Sequence, residues 1–381
     1  MDFELNEDQQ MMKGAAQEFA EKRLFPNAAK YDEDECLPDE LFAELAELGY
    51  MGMLVPEEYG GMELGLTSYA CIIEEFARAC AGLAITLSVH NSLVCGTILE
   101  YGSEELKKKY LPRLAAGQIG AYCLTESGAG SDAGALRTTA VADGDSYVIN
   151  GEKIFITSAD YTKVYLVFCL TEPELKSHGI SLFVVDRDTP GLEIGAKEGK
   201  LGIKCSDTRS VSFTDARVPA DHLLGEKNDG FQIALSRLDH GRLGVAAQSL
   251  GIAEAALAEA VQYSKERKQF NRPISEFQAI AFKLADMKTR IDAARWLTYH
   301  ALAKAEKGET FSRQAAEAKL FASETANWVA NEAVQIHGGY GYMKEYAVER
   351  YFRDARVTEI YEGTSEVQRI VISRAVLKEN D

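Results

Sequence analysis

Glu362 is the residue whose surroundings most favour acid–base chemistry. It lies in the segment 361–366 (YEGTSE), just before a helix that Thr364 is suited to cap and that we expect to run through Val371. The helix N-terminus favours the carboxylate, whereas burial under a ligand would disfavour it. Together these effects would bring its pKa towards neutrality, as a general base requires. Taken alone, the residue also fits a surface glutamate beside a helix dipole.

A glycine-rich run at 128–134 (GAGSDAG) could bring the backbone close to a ligand. The hydroxyl groups of Thr125, Ser127 and Ser131 accompany it. The run is not G-x-G-x-x-G, and an expected strand rather than a helix follows it, so a Rossmann site is excluded. A flexible loop between strands is the competing interpretation.

Two further segments could contact a ligand. Arg267 precedes KQF, with Gln278 downstream, and an arginine can hold a phosphate through two hydrogen bonds. The segment 335–342 (QIHGGYGY) has more glycines than a helix C-cap needs. The competing interpretations are that Arg267 is an ordinary partner of a helix dipole and that the glycines of 335–342 form a helix C-cap.

The cysteines and histidines show no metal-binding spacing. The seven cysteines include no C-x-x-C pair, which argues against zinc sites, iron–sulfur clusters and a disulfide framework. Such a set fits free thiols in a reducing cytoplasm. His90, His222 and His337 are interpreted as structural, and no metal site is expected.

The charge balance limits the partners. The chain has 59 acidic and 41 basic residues, a formal net charge of -18, which argues against nucleic-acid binding. Residues 1–60 hold 16 acids and 4 bases, and we expect them to form outer surface.

The length of 381 residues predicts two or three domains. The patterns divide the chain into a helical domain (1–118), a β-barrel-like domain (119–225) and a helical bundle (226–381). Together they predict an α+β multidomain fold.

Local patterns predict the elements that must position the candidate residues. Asn150-Gly151 between apolar runs predicts a hairpin with a type I′ turn. Three long helical patterns, at 231–265, 277–307 and 311–337, predict a four-helix bundle. Residues 79–99 carry no charge and are long enough to cross a bilayer. Their polar residues favour a buried helix instead, and the acidic start lacks the features of a secretory signal, so we expect a cytoplasmic protein.

Taken together, the motifs resemble the acyl-CoA dehydrogenase family of flavoproteins. The resemblance covers about residues 3–376 in the family's order. It is most specific at 122–132 (YCLTESGAGSD), 150–157 (NGEKIFIT), 266–270 (ERKQF), 335–339 (QIHGG), 353–356 (RDAR) and 360–364 (IYEGT).

The resemblance implies FAD and the removal of the α and β hydrogens of an acyl-CoA thioester, giving a trans-2-enoyl-CoA. It assigns the base to Glu362. The backbone N–H of Glu362 and a flavin ribityl hydroxyl would stabilise the developing enolate, and flavin N5 would take the β-hydride.

The same matching implies the binding residues. Thr125 and Thr157 would bond the flavin ring, Phe155 would pack on it, and Ser131 would face both flavin and CoA. Further FAD residues would be Tyr122, Leu124, Gly130, Ile156, Phe270, Thr364 and Glu366, with Arg267, Gln278, Gln335, Gly338 and Gly339 at the diphosphate and adenine end of a neighbouring subunit's FAD. Asp239, Arg242 and Gly363 match the segments near the CoA moiety and thioester.

One position narrows the resemblance. Some branches of the family carry their base at the position of Gly241, which cannot serve, so Glu362 is the matched base, as in short- and medium-chain members. The hypothesis is a short-chain, butyryl-CoA-like dehydrogenase that passes electrons to an electron-transferring flavoprotein, in a homotetramer built as a dimer of dimers. The alternatives are a branched-chain or glutaryl-CoA-type dehydrogenase, an acyl-CoA oxidase using O₂, and a non-catalytic FAD- or CoA-binding scaffold.

Overall fold

The structure is a computed structural model in which residues 4–378 are described, and it has the predicted helical–β–helical order. The helices are α1 (Glu7–Phe19), α2 (Ala28–Asp34), α3 (Asp39–Glu47), α4 (Leu66–Ala79), α5 (Ala81–Ser88), α6 (Gly96–Tyr101), α7 (Glu104–Ala115), α8 (Gly230–Glu266), α9 (Gln278–Glu306), α10 (Ser312–His337), α11 (Val348–Arg356) and α12 (Ser365–Lys378). The strands are β1 (Ile119–Cys123), β2 (Thr139–Asp143), β3 (Ser146–Thr157), β4 (Thr162–Leu170), β5 (Ile180–Asp186), β6 (Leu192–Lys197), β7 (Thr208–Pro219), β8 (Leu223–Leu224), β9 (Lys268–Gln269) and β10 (Arg272–Pro273).

Of the N-terminal helices, α1 and α7 begin at a side-chain cap. Ser103 caps α7, and its hydroxyl accepts a hydrogen bond from the Leu106 N–H at 3.3 Å. The described acidic residues within 1–60 are all exposed or half-buried, as expected for outer surface. His90 is structural: its Nε2 lies 2.8 Å from the Met51 carbonyl oxygen, and its Nδ1 accepts from the Gly120 N–H.

The uncharged segment after α4 is a buried helical stretch. Ala81–Tyr101 is long and apolar enough to cross a membrane, but 94% of its most hydrophobic window is buried inside the protein. Cys80 has an extended conformation that separates α4 from α5. The turns at Val89–Cys95 are π-helical, an irregularity often found near functional sites. The prediction of a buried helix is confirmed.

The middle domain is an eight-stranded sheet with the strand order β6-β7-β3-β2-β4-β5-β8. β1 is not part of this order and pairs in parallel with β4. One face packs on the N-terminal helices through residues such as Leu166 and Phe168. This arrangement places the carboxyl end of β1 beside β3. The chain continues from this end of β1 into the glycine-rich run at 128–134.

The predicted turn at Asn150-Gly151 is wrong. Both residues lie inside β3, at an irregularity in its pairing with β7, and β2 and β3 are joined through Gly144 instead. The Asn150 side chain is engaged across the sheet, because it donates to the Asp215 carboxylate and accepts from the Asp215 N–H. A Cβ at Gly151 would lie 2.5 Å from Thr138 Oγ1. Close packing therefore explains this glycine.

The C-terminal domain packs α8, α9, α10 and α11 around a core rich in alanine, and α12 packs against α10. α8 has 37 residues and also contacts α4 and α5, so it joins the two helical domains. Thr364 caps α12, with its hydroxyl accepting from the Val367 N–H at 3.3 Å. α12 continues to Lys378, beyond the predicted end at Val371.

Candidate active site

The turn that carries Glu362 is held in an unusual backbone conformation. Glu362 has φ 54° and Gly363 has φ 92°, a left-handed region that is costly for a non-glycine residue. Gln368 Nε2 donates to the carbonyl oxygens of Glu362 and Gly363, at 3.2 and 2.8 Å. Lys319 Nζ also donates to the Gly363 carbonyl oxygen, at 2.8 Å. The turn is therefore fixed from behind by two buried side chains.

The Glu362 carboxylate points inward, so the interpretation as a surface glutamate is wrong. Its Oε2 atom is buried and has no hydrogen-bond partner. It lies against α8, where a Cβ at Gly241 would be 2.6 Å from Oε2 and 3.1 Å from Leu93 Cδ2. Burial raises the pKa of Glu362 to about 7, against the opposing effects of Arg242 and Lys319.

Asp239 and Arg242, predicted to lie near the acyl-CoA, are in α8 on either side of Gly241. Arg242 is buried, donates through Nη1 to the Asp239 carboxylate, and keeps a buried Nε without a partner. Ser312, at the start of α10, also donates to Asp239, at 3.1 Å. Burial raises the pKa of Asp239 above its ordinary value, despite both partners.

Polar pairs that sequence reasoning missed line α8 beyond Gly241. Tyr69 donates to Ser88 Oγ at 2.8 Å, and a Cβ at Gly244 would touch both hydroxyl groups, at 2.7 and 2.1 Å. The Tyr361 hydroxyl donates to Gln248. These contacts join residues far apart in sequence, so no local pattern could have revealed them.

A second group of predicted residues meets where β1 and β3 end. The Ile154 N–H donates to the Thr125 carbonyl oxygen at 2.9 Å. A buried ion pair, also missed from the sequence, stabilises this junction: Lys153 Nζ donates to Glu126 Oε1 at 2.7 Å and to the Leu124 carbonyl oxygen at 3.3 Å. The segment that follows β1 and the last part of β3 are therefore fixed to each other.

The exposed side of this junction is open. Phe155 has φ 57° and its side chain is 61% exposed, whereas Ile156 is buried and Thr157 is half-buried. A Cβ at Gly130 would meet nothing within 4 Å, and Ser131 is exposed. On β1 the Tyr122 ring packs on Phe168, and the Tyr122 hydroxyl is buried without a partner.

A third group lines a cleft of about 450 Å³ at the far end of α8. Arg267, Gly338 and Gly339 line it, and the Arg267 guanidinium lies 5.5 Å from the centre of the Tyr340 ring. His337 stacks on Tyr263 with ring centres 4.2 Å apart. The cleft thus combines a cation, aromatic faces and bare backbone.

The remaining predicted residues lie outside these groups. Gln278 begins α9 and is exposed, as is Gln335 near the end of α10. Phe270 is 87% exposed and contacts Phe277 edge to face. Glu366 is exposed in the first turn of α12.

Gly241 lies in α8 and Arg267 directly follows the last residue of this helix, 26 residues later, a distance of ~39 Å at 1.5 Å per residue. The Glu362 site and the Arg267 cleft of one chain are therefore widely separated. The described residues contain no group of three or more His, Cys, Asp or Glu side chains suited to a metal ion.

Comparison with known proteins agrees with this architecture. Family models match in three consecutive parts, described as the acyl-CoA dehydrogenase N-terminal domain (6–118), middle domain (121–216) and C-terminal domain (228–377). An "Acyl-CoA dehydrogenase" of Bacillus subtilis is 48% identical over 374 residues, covering 98% of this chain and 99% of that protein.

Two solved structures are similar to this chain over nearly its whole length. Butyryl-CoA dehydrogenase from Megasphaera elsdenii superposes with a TM-score of 0.97 at 47% identity, covering 99% of this chain and all of that one. A chain solved in work on the "Electron transferring flavoprotein of Acidaminococcus fermentans" gives a TM-score of 0.98 at 50% identity, with the same coverage.

The three-domain fold and its matches define a flavin-dependent oxidoreductase. The chain belongs to the acyl-CoA dehydrogenase family, whose members bind FAD. The residues present fit that cofactor: Gly130, Gly338 and Gly339 leave their surroundings open to an approaching molecule, and Phe155 presents an exposed ring. The backbone N–H groups of such bare segments suit a phosphate-containing ligand.

Proposed function

We propose that the protein catalyses α,β-dehydrogenation of a short-chain, butyryl-CoA-like acyl-CoA to the trans-2-enoyl-CoA, with Glu362 as the base. The observation that carries this proposal is the buried Oε2 atom of Glu362, which has no hydrogen-bond partner, in a carboxyl group whose pKa burial raises to about 7. A base with this pKa is partly ionised at neutral pH and gains most from accepting a proton.

The surroundings of Glu362 suit removal of a proton α to a thioester. When Oε2 takes the α-proton, the carboxyl group becomes neutral, which is the form that its buried position favours. Negative charge then develops on the thioester oxygen and needs a donor that is already in place. No acceptor in the described chain is bonded to the Glu362 backbone N–H, so this group is available. The absence of a side chain at Gly241 lets the carboxylate lie directly against α8, because a Cβ there would be 2.6 Å from Oε2.

FAD, when bound, accepts the β-hydrogen of the substrate as a hydride. We assign the ring end of its site to the junction of β1 and β3. The residues there are Tyr122, Leu124, Thr125, Gly130, Ser131, Phe155, Ile156 and Thr157. Thr364 and Glu366 flank it from α12, and Asp239, Arg242 and Gly363 are assigned to the acyl-CoA.

The cleft at Arg267 is assigned to the diphosphate and adenine end of the FAD of a second copy. Its separation of ~39 Å along α8 from Gly241 supports a site shared between subunits. Gln278, Gln335, Gly338, Gly339 and Phe270 complete this end. Exposed apolar side chains of the C-terminal domain, such as Phe270 and Tyr342, suit association into a homotetramer arranged as a dimer of dimers.

The packing along α8 beyond Gly241 favours a short acyl chain. Gly244 follows Gly241 by one turn of α8, ~4.5 Å along the axis, and there the hydrogen-bonded Tyr69 and Ser88 side chains fill the position that a Cβ would occupy. A longer chain would have to displace this pair.

The electron acceptor is assigned to an electron-transferring flavoprotein, supported by the neighbour solved in work on such a flavoprotein. We place the reaction in the cytoplasm, as the free cysteines suggest.

An anaerobic titration tests this function. The purified protein should be yellow with bound flavin, and butyryl-CoA should bleach its absorbance near one equivalent per site. A flavin spectrum that no acyl-CoA changes would overturn the substrate assignment. Oxygen uptake that matches turnover would instead identify an oxidase.

The Glu362→Gln variant tests the base. It should keep its flavin but lose at least about a thousandfold in the rate of bleaching, because general-base catalysis contributes up to about 10⁴-fold. Glu324→Gln is the matched control, since Glu324 is also on the C-terminal domain but pairs with Arg369 at the surface. Retained bleaching in Glu362→Gln would refute the assignment.

A further inference from the structure

Lys319 is a buried lysine close to Glu362 with no role in the scheme above. It lies on α10, its side chain is fully buried, and its ammonium donates to the Gly363 carbonyl oxygen at 2.8 Å. A lysine is rarely buried without a partner for its charge. In the part of the chain that the structure describes, no carboxylate lies within ion-pair distance of Lys319. Its charge therefore acts on the Glu362 turn itself.

The contrast with Arg242 shows why the charge of Lys319 matters. Arg242, the other buried cation near Glu362, is already paired with Asp239. The Asp239 carboxylate offsets part of the positive potential that Arg242 exerts on Glu362. Lys319 has no carboxylate within ion-pair distance, so its charge faces the Glu362 carboxylate, with Glu359 and Glu366 acting on Lys319 less strongly.

Lys319 also holds the shape of the turn. The Gly363 carbonyl oxygen accepts from both Lys319 and Gln368. This carbonyl directly follows Glu362, whose left-handed conformation needs support from its surroundings. Fixing the Gly363 carbonyl therefore fixes the direction in which the Glu362 side chain leaves the backbone.

We propose that Lys319 is a positioning residue for Glu362: its ammonium holds the Gly363 carbonyl and thereby the left-handed turn, and its buried positive charge keeps the carboxylate ionised until the α-proton is transferred. The proposal rests on the proposed function only in using Glu362 as the base. The hydrogen bond and the charge are separate contributions, so they can be removed separately.

Few other groups would respond to pH near Glu362. The titratable and charged groups that face it are Arg242 of α8, Lys319 of α10, Tyr69 of α4, Tyr122 of β1 and the adjacent Tyr361. Burial raises the pKa of all three tyrosines, that of Tyr69 to about 12, so they stay neutral when Glu362 titrates. Burial lowers the pKa of Lys319 to about 8, and it is still largely charged at pH 7.

The test compares Lys319→Met, which removes both contributions, with Lys319→Gln, which removes the charge but keeps a donor. In the FAD-bound protein without substrate, the carboxyl absorption of Glu362 is titrated by infrared difference spectroscopy against the same variant carrying Glu362→Gln. Because an opposite charge nearby favours the carboxylate, both variants should raise the pKa of Glu362, by about one unit. Lys304→Met is the control: Lys304 is on α9 and pairs with Glu309, and this variant should leave the titration unchanged.

The rate of bleaching by butyryl-CoA separates the hydrogen bond from the charge. At a pH above the Glu362 pKa of every variant, Lys319→Gln should react within about threefold of the native protein. Lys319→Met should remain about tenfold slower, because the Gly363 carbonyl has lost a donor. Lys319→Arg should restore both the titration and most of the rate.

Two results would overturn the proposal. One is an unchanged Glu362 titration in both Lys319→Met and Lys319→Gln. The other is an equal shift in the Lys304→Met control. If Lys319→Met fails to fold, Lys319→Gln alone decides the contribution of the charge. A native protein that no acyl-CoA bleaches would refute the proposed function, but the infrared titration would still measure the effect of Lys319 on Glu362.

Discussion

Glu126 in the β domain and Glu362 in the C-terminal domain are both close to a buried lysine, yet their environments are opposite. The Glu126 carboxylate accepts from Lys153 Nζ at 2.7 Å and from the N–H groups of Arg137 and Thr138. Burial opposes its charge, but these partners outweigh burial and lower its pKa. Glu362 has no such partners for Oε2, and its pKa is raised to about 7.

The difference depends on where each lysine binds. Lys153 binds the carboxylate itself, which fixes both the charge and the loop that carries it. Lys319 binds the carbonyl oxygen of the next residue instead, which fixes the backbone and leaves the carboxylate free to accept a proton. A lysine that binds the carboxylate itself thus makes a structural glutamate, whereas a lysine that binds the neighbouring carbonyl leaves a candidate base.

The largest effect should come from breaking the direct pair. Lys153→Met leaves the Glu126 charge buried without its cation, and we expect a loss of about 3–5 kcal/mol in the free energy of unfolding. Lys227→Met, which removes a partly exposed partner of Glu172, should cost less than about 1 kcal/mol. Urea unfolding of both variants checks this, and equal losses would contradict the structural role of Lys153.

The pH dependence of stability should have opposite signs at the two sites. The folded pKa of Glu362 lies above its ordinary value of 4.5, so its contribution to stability is lost as pH rises through about 7. Glu362→Gln should therefore stabilise the protein above pH 7, by on the order of 1–3 kcal/mol. The Glu126 pKa is lowered, so its contribution is present at neutral pH and lost only in acid.

Unfolding measured between pH 5.5 and 8.5 distinguishes the two glutamates. Glu126→Gln should destabilise the protein throughout this range, whereas the gain from Glu362→Gln should grow with pH. A gain that is independent of pH would show that the buried Glu362 charge is not its cause.

A smaller effect should follow from adding a methyl group to the tightly packed position beside Glu362. In Gly241→Ala the new methyl group would lie 2.6 Å from Oε2 and 3.1 Å from Leu93 Cδ2, so the carboxylate must shift. We expect a loss of about ten- to a hundredfold in the bleaching rate, since small displacements of reacting groups are costly. Gly14→Ala, on α1 with open space around it, should leave the rate unchanged. An unaltered rate in Gly241→Ala would exclude tight packing at this position.

Features that depend on neighbours in sequence could be predicted. The caps at Ser103 and Thr364 follow from side chains three residues from their partners. The long helices follow from their apolar periodicity. Asn150-Gly151 resembles a turn locally, but the outcome was decided by Asp215 on another strand.

The environment of the candidate base could not be predicted in the same way. Lys319 looks like any polar residue of an alanine-rich helix until α10 packs against the Glu362 turn. Likewise Lys153 and Glu126 are 27 residues apart, and only the sheet brings them together. Their burial depends on tertiary packing, which no spacing in the sequence reports.

The position of α8 between two sites has a consequence for how mutant alleles combine. If one end of this helix serves its own subunit through Gly241 and the other end serves a neighbour through Arg267, the two ends belong to different active sites. A subunit damaged at Glu362 and another damaged at Arg267 would then together form one intact site. Two defective alleles could thus complement each other within a mixed oligomer.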